Sequence, residues 1–364
     1  MDLVAERIYA TLQEEHPEIS SELIRPGMRR RISGSSSFAG TAYNADRFLN
    51  RFLDYPRHLG QIRDRFDVFH VVDHSYAHLV DSLPSHRTVV TCHDIDAFRS
   101  VVDGQPRPLW FRRMQRRVLK GMQRAARVTC DSDATRNDID SRFMVAPEKI
   151  MTIPLGNDPG FTREPEAVAE AAAGRLLGHP GEAGVDILHV GSTVSRKRID
   201  LLLEIFARVR QSLPSARLIR VGGAFTAEQQ QQAERLRLGE SILVLPFLDR
   251  ATLAAVYRCA DLVVLPSDTE GFGFPLLEAM ACGTPVVATD LPVLREAGGD
   301  AALYFPAGDV EGWSRGIIDF LPKSRRGSPA RPELAARGVA QASRFTWSST
   351  TERFVQLYKE VLGN

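Results

Sequence analysis

Residues 266–288, PSDTEGFGFPLLEAMACGTPVVA, decide the fold. Ahead of them runs Leu262-Val263-Val264-Leu265, an apolar run of the kind found in a strand buried on both faces of a parallel sheet. Pro266-Ser267-Asp268 ends that strand, and the Gly-rich loop Gly271-Phe272-Gly273-Phe274 follows. Pro275 suits the first position of a helix, where the missing N–H has no partner to lose. Leu276, Leu277, Ala279, Met280 and Ala281 continue that helix until Gly283 stops it, and Pro285-Val286-Val287-Ala288 begins the next strand. Two carboxylates bracket the loop, Glu270 at its start and Glu278 inside the helix.

In an open α/β sheet, ligands sit beyond the carboxyl ends of the strands, against helix N-termini. Unpaired backbone N–H groups there, together with the helix dipole, favour a phosphate. Glycines let the backbone approach a ligand closely. With Pro275 as the first helical residue, Glu278 lies about one turn in and can accept hydrogen bonds from vicinal hydroxyls. Glu270 projects from the loop towards the same space. The plain alternative is a helix start that carries a dipole-favoured glutamate.

The stretch resembles the Glu-x7-Glu signature of the retaining glycosyltransferases of family four. Here it reads from Glu270 through Gly-Phe-Gly-Phe-Pro-Leu-Leu to Glu278, and the following Ala-Met-Ala-Cys-Gly-Thr-Pro also fits. The similarity runs from about Phe66 to the C-terminus. It implies an α/β architecture of the GT-B kind, with two Rossmann-like doubly wound parallel-sheet domains facing across a cleft. It also implies that Glu270 and the loop amides of Gly271, Phe272, Gly273 and Phe274 hold a donor sugar. The helix start at Leu276, Leu277 and Glu278 would take the diphosphate, with Glu278 on the ribose hydroxyls.

The chain has 364 residues, which favours two domains, each large enough for its own core. Hydrophobic residues make up 43% and charged ones 25%, as in ordinary globular proteins. A formal net charge of +1 argues against wholesale binding of nucleic acid. Cys92, Cys130, Cys259 and Cys282 are widely spaced in apolar contexts, without a CxxC pair or a Cys/His metal spacing. Buried free thiols in a reducing compartment follow. With no long apolar run and no signal-peptide pattern, a cytoplasmic protein is expected.

The first domain is read over residues 1–158. It opens with an amphipathic helix to about His16, then a short strand at Glu22-Leu23-Ile24, a basic turn at Arg29-Arg30-Arg31, a polar loop over 33–43 and a mostly helical 44–64. Family members usually start with a strand and a Gly-rich loop ahead of this first helix, and neither precedes it here. Strands at 67–72, 88–92, 127–132 and 149–153 follow. The second delivers His93-Asp94 to a strand end, a position that matches the family's His-Asp pair, so the resemblance implies that His93 contacts the donor sugar or the acceptor. Residues 107–127, RPLWFRRMQRRVLKGMQRAAR, hold no acidic residue. Phe111, Met114, Val118, Met122 and Ala125 form one stripe of this helix, and Arg112, Arg116, Lys120 and Arg124 form another. The sharp reading is peripheral contact with anionic lipid at the inner face of a membrane; the plain one is a solvated basic face.

Residues 159–184 read as a linker with a short helix, and 185–347 as a second domain in which strands and helices alternate, the pattern of a parallel doubly wound sheet. After its first strand comes Gly191-Ser192-Thr193-Val194-Ser195-Arg196-Lys197-Arg198, which is not a Walker A loop. Basic side chains behind a strand-end glycine can still neutralise a diphosphate. The resemblance assigns that role to Arg196 and Lys197. The final helix, 348–364, would cross back to the first domain.

The expected function is transfer of a hexose from a nucleotide diphosphate sugar to a glycan or lipid-linked acceptor, with retention and without a cofactor. Asp94-Ile-Asp96, Asp131-Ser-Asp133 and Asp138-Ile-Asp140 are spaced as metal ligands could be, but they lie away from the diphosphate loop. The resemblance also implies a metal-independent reaction, with Glu270 and His93 orienting the sugar. Two rivals share the fold: a nucleotide-sugar epimerase or phosphorylase, and a non-catalytic partner subunit that keeps the donor domain.

Overall fold

A computed structural model describes residues 2–33, 40–178 and 184–363. The chain divides into two compact units, Met1–Leu155 with Trp347–Asn364, and Gly156–Thr346.

The first unit opens with α1 (Asp2–Glu15), α2 (Thr41–Leu49), a π-helical turn over Asn50–Asp54 and α3 (Tyr55–Ile62). Then come β1 (Phe69–Val71), β2 (Thr88–Cys92), α4 (Arg99–Val102), α5 (Leu109–Arg124), β3 (Arg127–Cys130), α6 (Asp133–Ser141) and β4 (Ile150–Thr152). The four strands are all parallel and lie in sequence order, β1-β2-β3-β4. The apolar stripe of α5 supplies Val118 and Met122 to a core shared with Val90, Cys92, Val128 and Ile139. Gly121 lets α5 approach the backbone of Ala77, because a Cβ there would stand 2.0 Å from the Ala77 carbonyl oxygen.

The expected strand at Glu22-Leu23-Ile24 does not form; the segment is irregular, and among the described residues no strand pairs with it. Ile24 instead packs on Leu59, Ile62 and Phe69, while Glu22 meets Arg65 at 3.2 Å. Of the polar loop read over 33–43, residues 34–39 lie outside the described residues, and helix begins at Thr41.

The second unit contains α7 (Ala167–Leu177), β5 (Val185–Val190), α8 (Ile199–Ser212), β6 (Ala216–Val221), α9 (Ala227–Arg235), β7 (Ile242–Leu245) and α10 (Arg250–Cys259). It continues with β8 (Leu262–Leu265), α11 (Phe274–Ala281), β9 (Val286–Thr289), α12 (Pro292–Gly298), β10 (Leu303–Phe305), α13 (Val310–Ser324) and α14 (Arg331–Ala342). Its six parallel strands run β10-β9-β8-β5-β6-β7. The order reverses between β5 and β8, so the crevice of a doubly wound sheet opens there. Leu202, Phe206, Leu218, Leu262, Val264 and Trp313 fill the core on one face.

The stretch read as a linker is bonded into this unit: α7 packs on α10, and the Arg258 guanidinium donates to Glu170 at 2.7 Å and to the Thr162 carbonyl at 2.9 Å. The chain then returns to the first unit as α15 (Trp347–Leu362), which packs on α1. There the Tyr358 hydroxyl meets His70 at 2.8 Å. Among the described residues no helix is long and apolar enough to cross a membrane.

Candidate functional site

The reversal between β5 and β8 brings two loops together. The loop after β5 carries Arg196, Lys197 and Arg198; the loop after β8 carries Asp268, Thr269 and Glu270. Each basic residue finds a partner opposite. Lys197 Nζ donates to Glu270 Oε1 at 2.6 Å, and Arg196 donates to Glu270 Oε2 at 3.2 Å and to the Thr269 carbonyl at 3.0 Å. Arg198, in the left-handed region at φ 48°, donates to Asp268 Oδ1 at 2.9 Å. The Asp268 N–H closes the set on the Arg196 carbonyl at 2.8 Å.

Lys197 is only 7% exposed, although lysine is rarely buried without a counter-charge. Its methylene stem runs past Gly191, where a Cβ would stand 3.5 Å from it. The result is a dry cation–carboxylate pair at the carboxyl end of the sheet, with Arg196 partly open to solvent beside it.

α11 starts one residue earlier than expected. Phe274 is its first residue and Pro275 its second, because Gly273 turns the chain at φ 100° and caps the helix. Leu276 and Leu277 return their N–H groups to the Gly273 carbonyl, whereas the Phe274 N–H has no partner among the described residues. The side chains of Leu276 and Leu277 are fully buried, so these residues present only backbone to a ligand. Phe272 is buried too, with its ring against Phe274 and Phe345.

Glu278 follows one turn later and accepts a hydrogen bond from the Tyr257 hydroxyl at 2.8 Å. Burial pushes its carboxyl up to about 7 against the pull of that hydrogen bond, with the charge of Asp158 adding to the rise. Near neutral pH this group is poised to accept from a hydroxyl or to donate to one.

His93 lies in the other unit, just beyond β2, and is 5% exposed. Its Nδ1 stands 2.6 Å from Asp131 Oδ2, and its Nε2 stands 2.7 Å from the Val72 carbonyl. Both neighbours only accept, so the ring makes both bonds as an imidazolium. Burial disfavours that charge, but Asp131 and the Val72 carbonyl outweigh it and raise the pKa. The His93 backbone N–H points at His74 Nδ1, 3.3 Å away. So arranged, both ring nitrogens of His93 are taken within its own unit, and Asp131 favours the protonated ring.

Of three further residues at or beside these groups, the sequence reading named Asp131 only within an Asp-x-Asp metal spacing and passed over Arg220 and Tyr257. Asp131 follows β3 as His93 follows β2, so the strand-end argument applied to His93 would have found it. Arg220 stands inside the apolar strand Ala216–Val221, and a charge in such a run is itself a signal. Tyr257 sits in an ordinary helix and gave none. The carboxylates of the Asp-x-Asp triplets have other work: Asp131 holds His93, Asp96 meets Arg99 at 2.9 Å and Asp138 meets Arg142 at 2.7 Å. Among the described residues no three His, Cys, Asp or Glu side chains are grouped to hold a metal ion.

Comparison with known proteins gives two family matches. The model described as "Glycosyl transferases group 1" matches residues 181–338, and "Glycosyltransferase Family 4" matches residues 15–161. A D-inositol 3-phosphate glycosyltransferase of Segniliparus rotundus is 32% identical over 288 residues, covering 75% of this chain and 61% of that protein. The chain thus spans less than two thirds of that relative. O-antigen chain mannosyltransferase B of Escherichia coli is 29% identical over 318 residues, 85% of this chain and 78% of the other. The solved structure of WaaG, a glycosyltransferase involved in lipopolysaccharide biosynthesis, shares the fold with a TM-score of 0.72 at 19% identity, over 99% of this chain and 95% of that one.

Proposed function

Because this chain belongs to glycosyltransferase family four and has its GT-B fold, we propose that it moves a hexose from a nucleotide diphosphate sugar to a hydroxyl of a glycan or lipid-linked acceptor, with retention. The observation that carries this reading is the cluster of Lys197, Arg196 and Glu270 at the switch point of the second sheet, beside the N-terminus of α11. A diphosphate laid across that point meets Lys197 and Arg196 as cations and the Phe274 N–H as a donor at a positive helix end. Glu278 then takes the ribose hydroxyls, and Glu270 and the loop 271–274 take the sugar.

In the reaction the bond from the anomeric carbon to the diphosphate oxygen breaks. The acceptor oxygen bonds to the same face, and the departing diphosphate oxygen receives the acceptor's proton. Lys197 and Arg196 stabilise the charge that develops on the leaving group, so catalysis is positioning and electrostatics. No cofactor is needed in this scheme.

Peripheral contact with the inner face of a membrane is part of the proposal. It is supported by α5, whose outer face bears exposed Arg113, Arg116 and Lys120 beside Leu109 and Trp110, 73% and 64% exposed. Sedimentation with anionic vesicles tests it: binding is expected to fall as salt rises and to vanish for Arg116→Glu with Lys120→Glu. Binding that ignores those changes would refute it.

The donor reading is tested by thermal shift against UDP-, GDP- and ADP-sugars, with wild type, Lys197→Ala and Glu278→Ala. A donor at 100 times its Kd adds about 2.7 kcal/mol of stability. One nucleotide sugar should stabilise wild type and neither variant; a panel without effect on wild type refutes the reading.

A further inference from the structure

Arg220 is fully buried, yet among the described residues no carboxylate lies within ion-pair distance of it. It sits on β6 in register with His189 on β5. The His189 ring is also fully buried and finds no partner for either nitrogen; burial, then the charges of Arg220 and Lys197, push its pKa down to about 3, so it stays neutral. Arg220 alone therefore holds a charge at that level of the two strands.

Its guanidinium is spent on backbone. One terminal nitrogen donates to the Gly191 carbonyl at 3.0 Å, and the other donates to the Gly223 carbonyl. The guanidinium also stands over the Phe225 ring, 5.4 Å from its centroid, while Nε is without a partner. These two carbonyls belong to the turns that follow β5 and β6. Gly222 packs so tightly between them that a Cβ would come within 2.0 Å of the Gly191 oxygen, and its φ of +129° suits glycine. A trans peptide directs its N–H opposite to its C=O. With the Gly191 and Gly223 carbonyls bonded to the guanidinium, the N–H groups of Ser192 and Ala224, in the same two peptides, point away from it. Neither N–H has a hydrogen-bond partner among the described residues.

We propose that Arg220 is a positioning residue that fixes these two turns and so presents the Ser192 and Ala224 amides as a donor pair for a phosphate of the nucleotide sugar. This rests on the donor reading above. An anion held there also becomes the counter-charge that Arg220 lacks among the described residues. Through Gly191, which carries the stem of Lys197, the same residue steadies the Lys197–Glu270 pair.

The test combines calorimetry of inorganic pyrophosphate, UDP, GDP and ADP with backbone-amide NMR. Pyrophosphate should shift the Ser192 and Ala224 amide resonances of wild type. Arg220→Met should weaken pyrophosphate by at least about tenfold, and Arg220→Lys, which reaches one carbonyl instead of two, by less. If wild type binds pyrophosphate while both amides stay still, or if folded Arg220→Met binds it as wild type does, the proposal is overturned and the donor reading stands. If wild type binds neither pyrophosphate nor any nucleoside diphosphate, both fall together. Should Arg220→Met fail to fold, the wild-type amide shifts and Arg220→Lys decide.

Discussion

Each unit places a cation against a carboxylate at the ends of its strands, at the same 2.6 Å, and the two pairs differ in what surrounds them. His93 and Asp131 follow β2 and β3, neighbours in a sheet that runs in sequence order. Lys197 and Glu270 follow β5 and β8, neighbours only because the second sheet reverses its order there. A reversal sends the flanking helices to opposite faces and parts the loops between them; an ordered run does not. So the first pair is closed, its remaining ring nitrogen taken by the Val72 carbonyl. The second is bordered by the half-exposed Arg196, two glycine turns and a helix start with donors to spare. The lesson is that topology, more than the identity of the pair, makes a strand-end pair a place for a ligand.

The largest expected effect breaks the open pair. Lys197→Ala should lower kcat/KM for sugar transfer by about 10²–10³, the usual loss when a group facing developing charge is removed. Glu270→Gln combined with it should cost far less than the sum of the two singles, because both act on one pair. Steady-state kinetics on the single and double variants checks this. Equal losses from Lys197→Ala and Asp131→Asn would erase the distinction between the two pairs.

The closed pair should show itself in stability. Asp131→Asn keeps an acceptor oxygen but removes the negative charge that favours protonated His93, at roughly 1–3 kcal/mol for a lost charge-assisted hydrogen bond. The sign follows from the raised pKa of His93 in the folded chain. Its contribution is whole below the unfolded histidine value of about 6.5 and is lost as pH climbs through the folded value. Denaturant midpoints of wild type and Asp131→Asn should thus lie furthest apart at acid pH and converge at alkaline pH. Curves that run parallel across the range would mean that His93 holds no extra proton.

Much of this comparison could be read from the sequence and some could not. Leu262 to Leu265, the loop that follows and the helix to Ala281 gave their own positions through apolar runs, glycines and a proline. Lys197 and Glu270 were each legible as candidates. That they touch was not, because strand order is a long-range property and their loops lie 73 residues apart. Glu22-Leu23-Ile24 misled for the same reason: a strand pattern is satisfied only by a neighbour, and local sequence does not say whether one arrives. Asp131 was legible from its strand-end position, whereas Tyr257 matters through what it touches, and a contact across the fold leaves no spacing to find.

Glu278 belongs to the open side and should respond to pH in the opposite circumstance to an ordinary carboxylate. Its folded pKa, about 7, stands above the usual 4.5. A carboxyl raised in this way favours folding fully below its unfolded value, and that support is lost as pH rises towards the folded one. Wild type should therefore weaken relative to Glu278→Gln between pH 4.5 and 7, by roughly 1–3 kcal/mol. Melting curves in matched buffers check it; a difference that stays flat with pH would place Glu278 in water.

The smallest effect separates the two causes acting on that carboxyl. Burial raises its pKa, while the Tyr257 hydroxyl, donating at 2.8 Å, lowers it by favouring the anion. Tyr257→Phe keeps the ring and deletes the donor, so the Glu278 midpoint should move further up, by about one pH unit or less, the equivalent of one hydrogen bond. Carbon-detected NMR of the Glu278 carboxyl reads this directly. If the carboxyl is to meet ribose hydroxyls as an anion, nucleotide affinity in Tyr257→Phe should reach its plateau at a correspondingly higher pH. A midpoint that stays where wild type has it would show that Tyr257 merely packs there and that burial alone sets the Glu278 carboxyl.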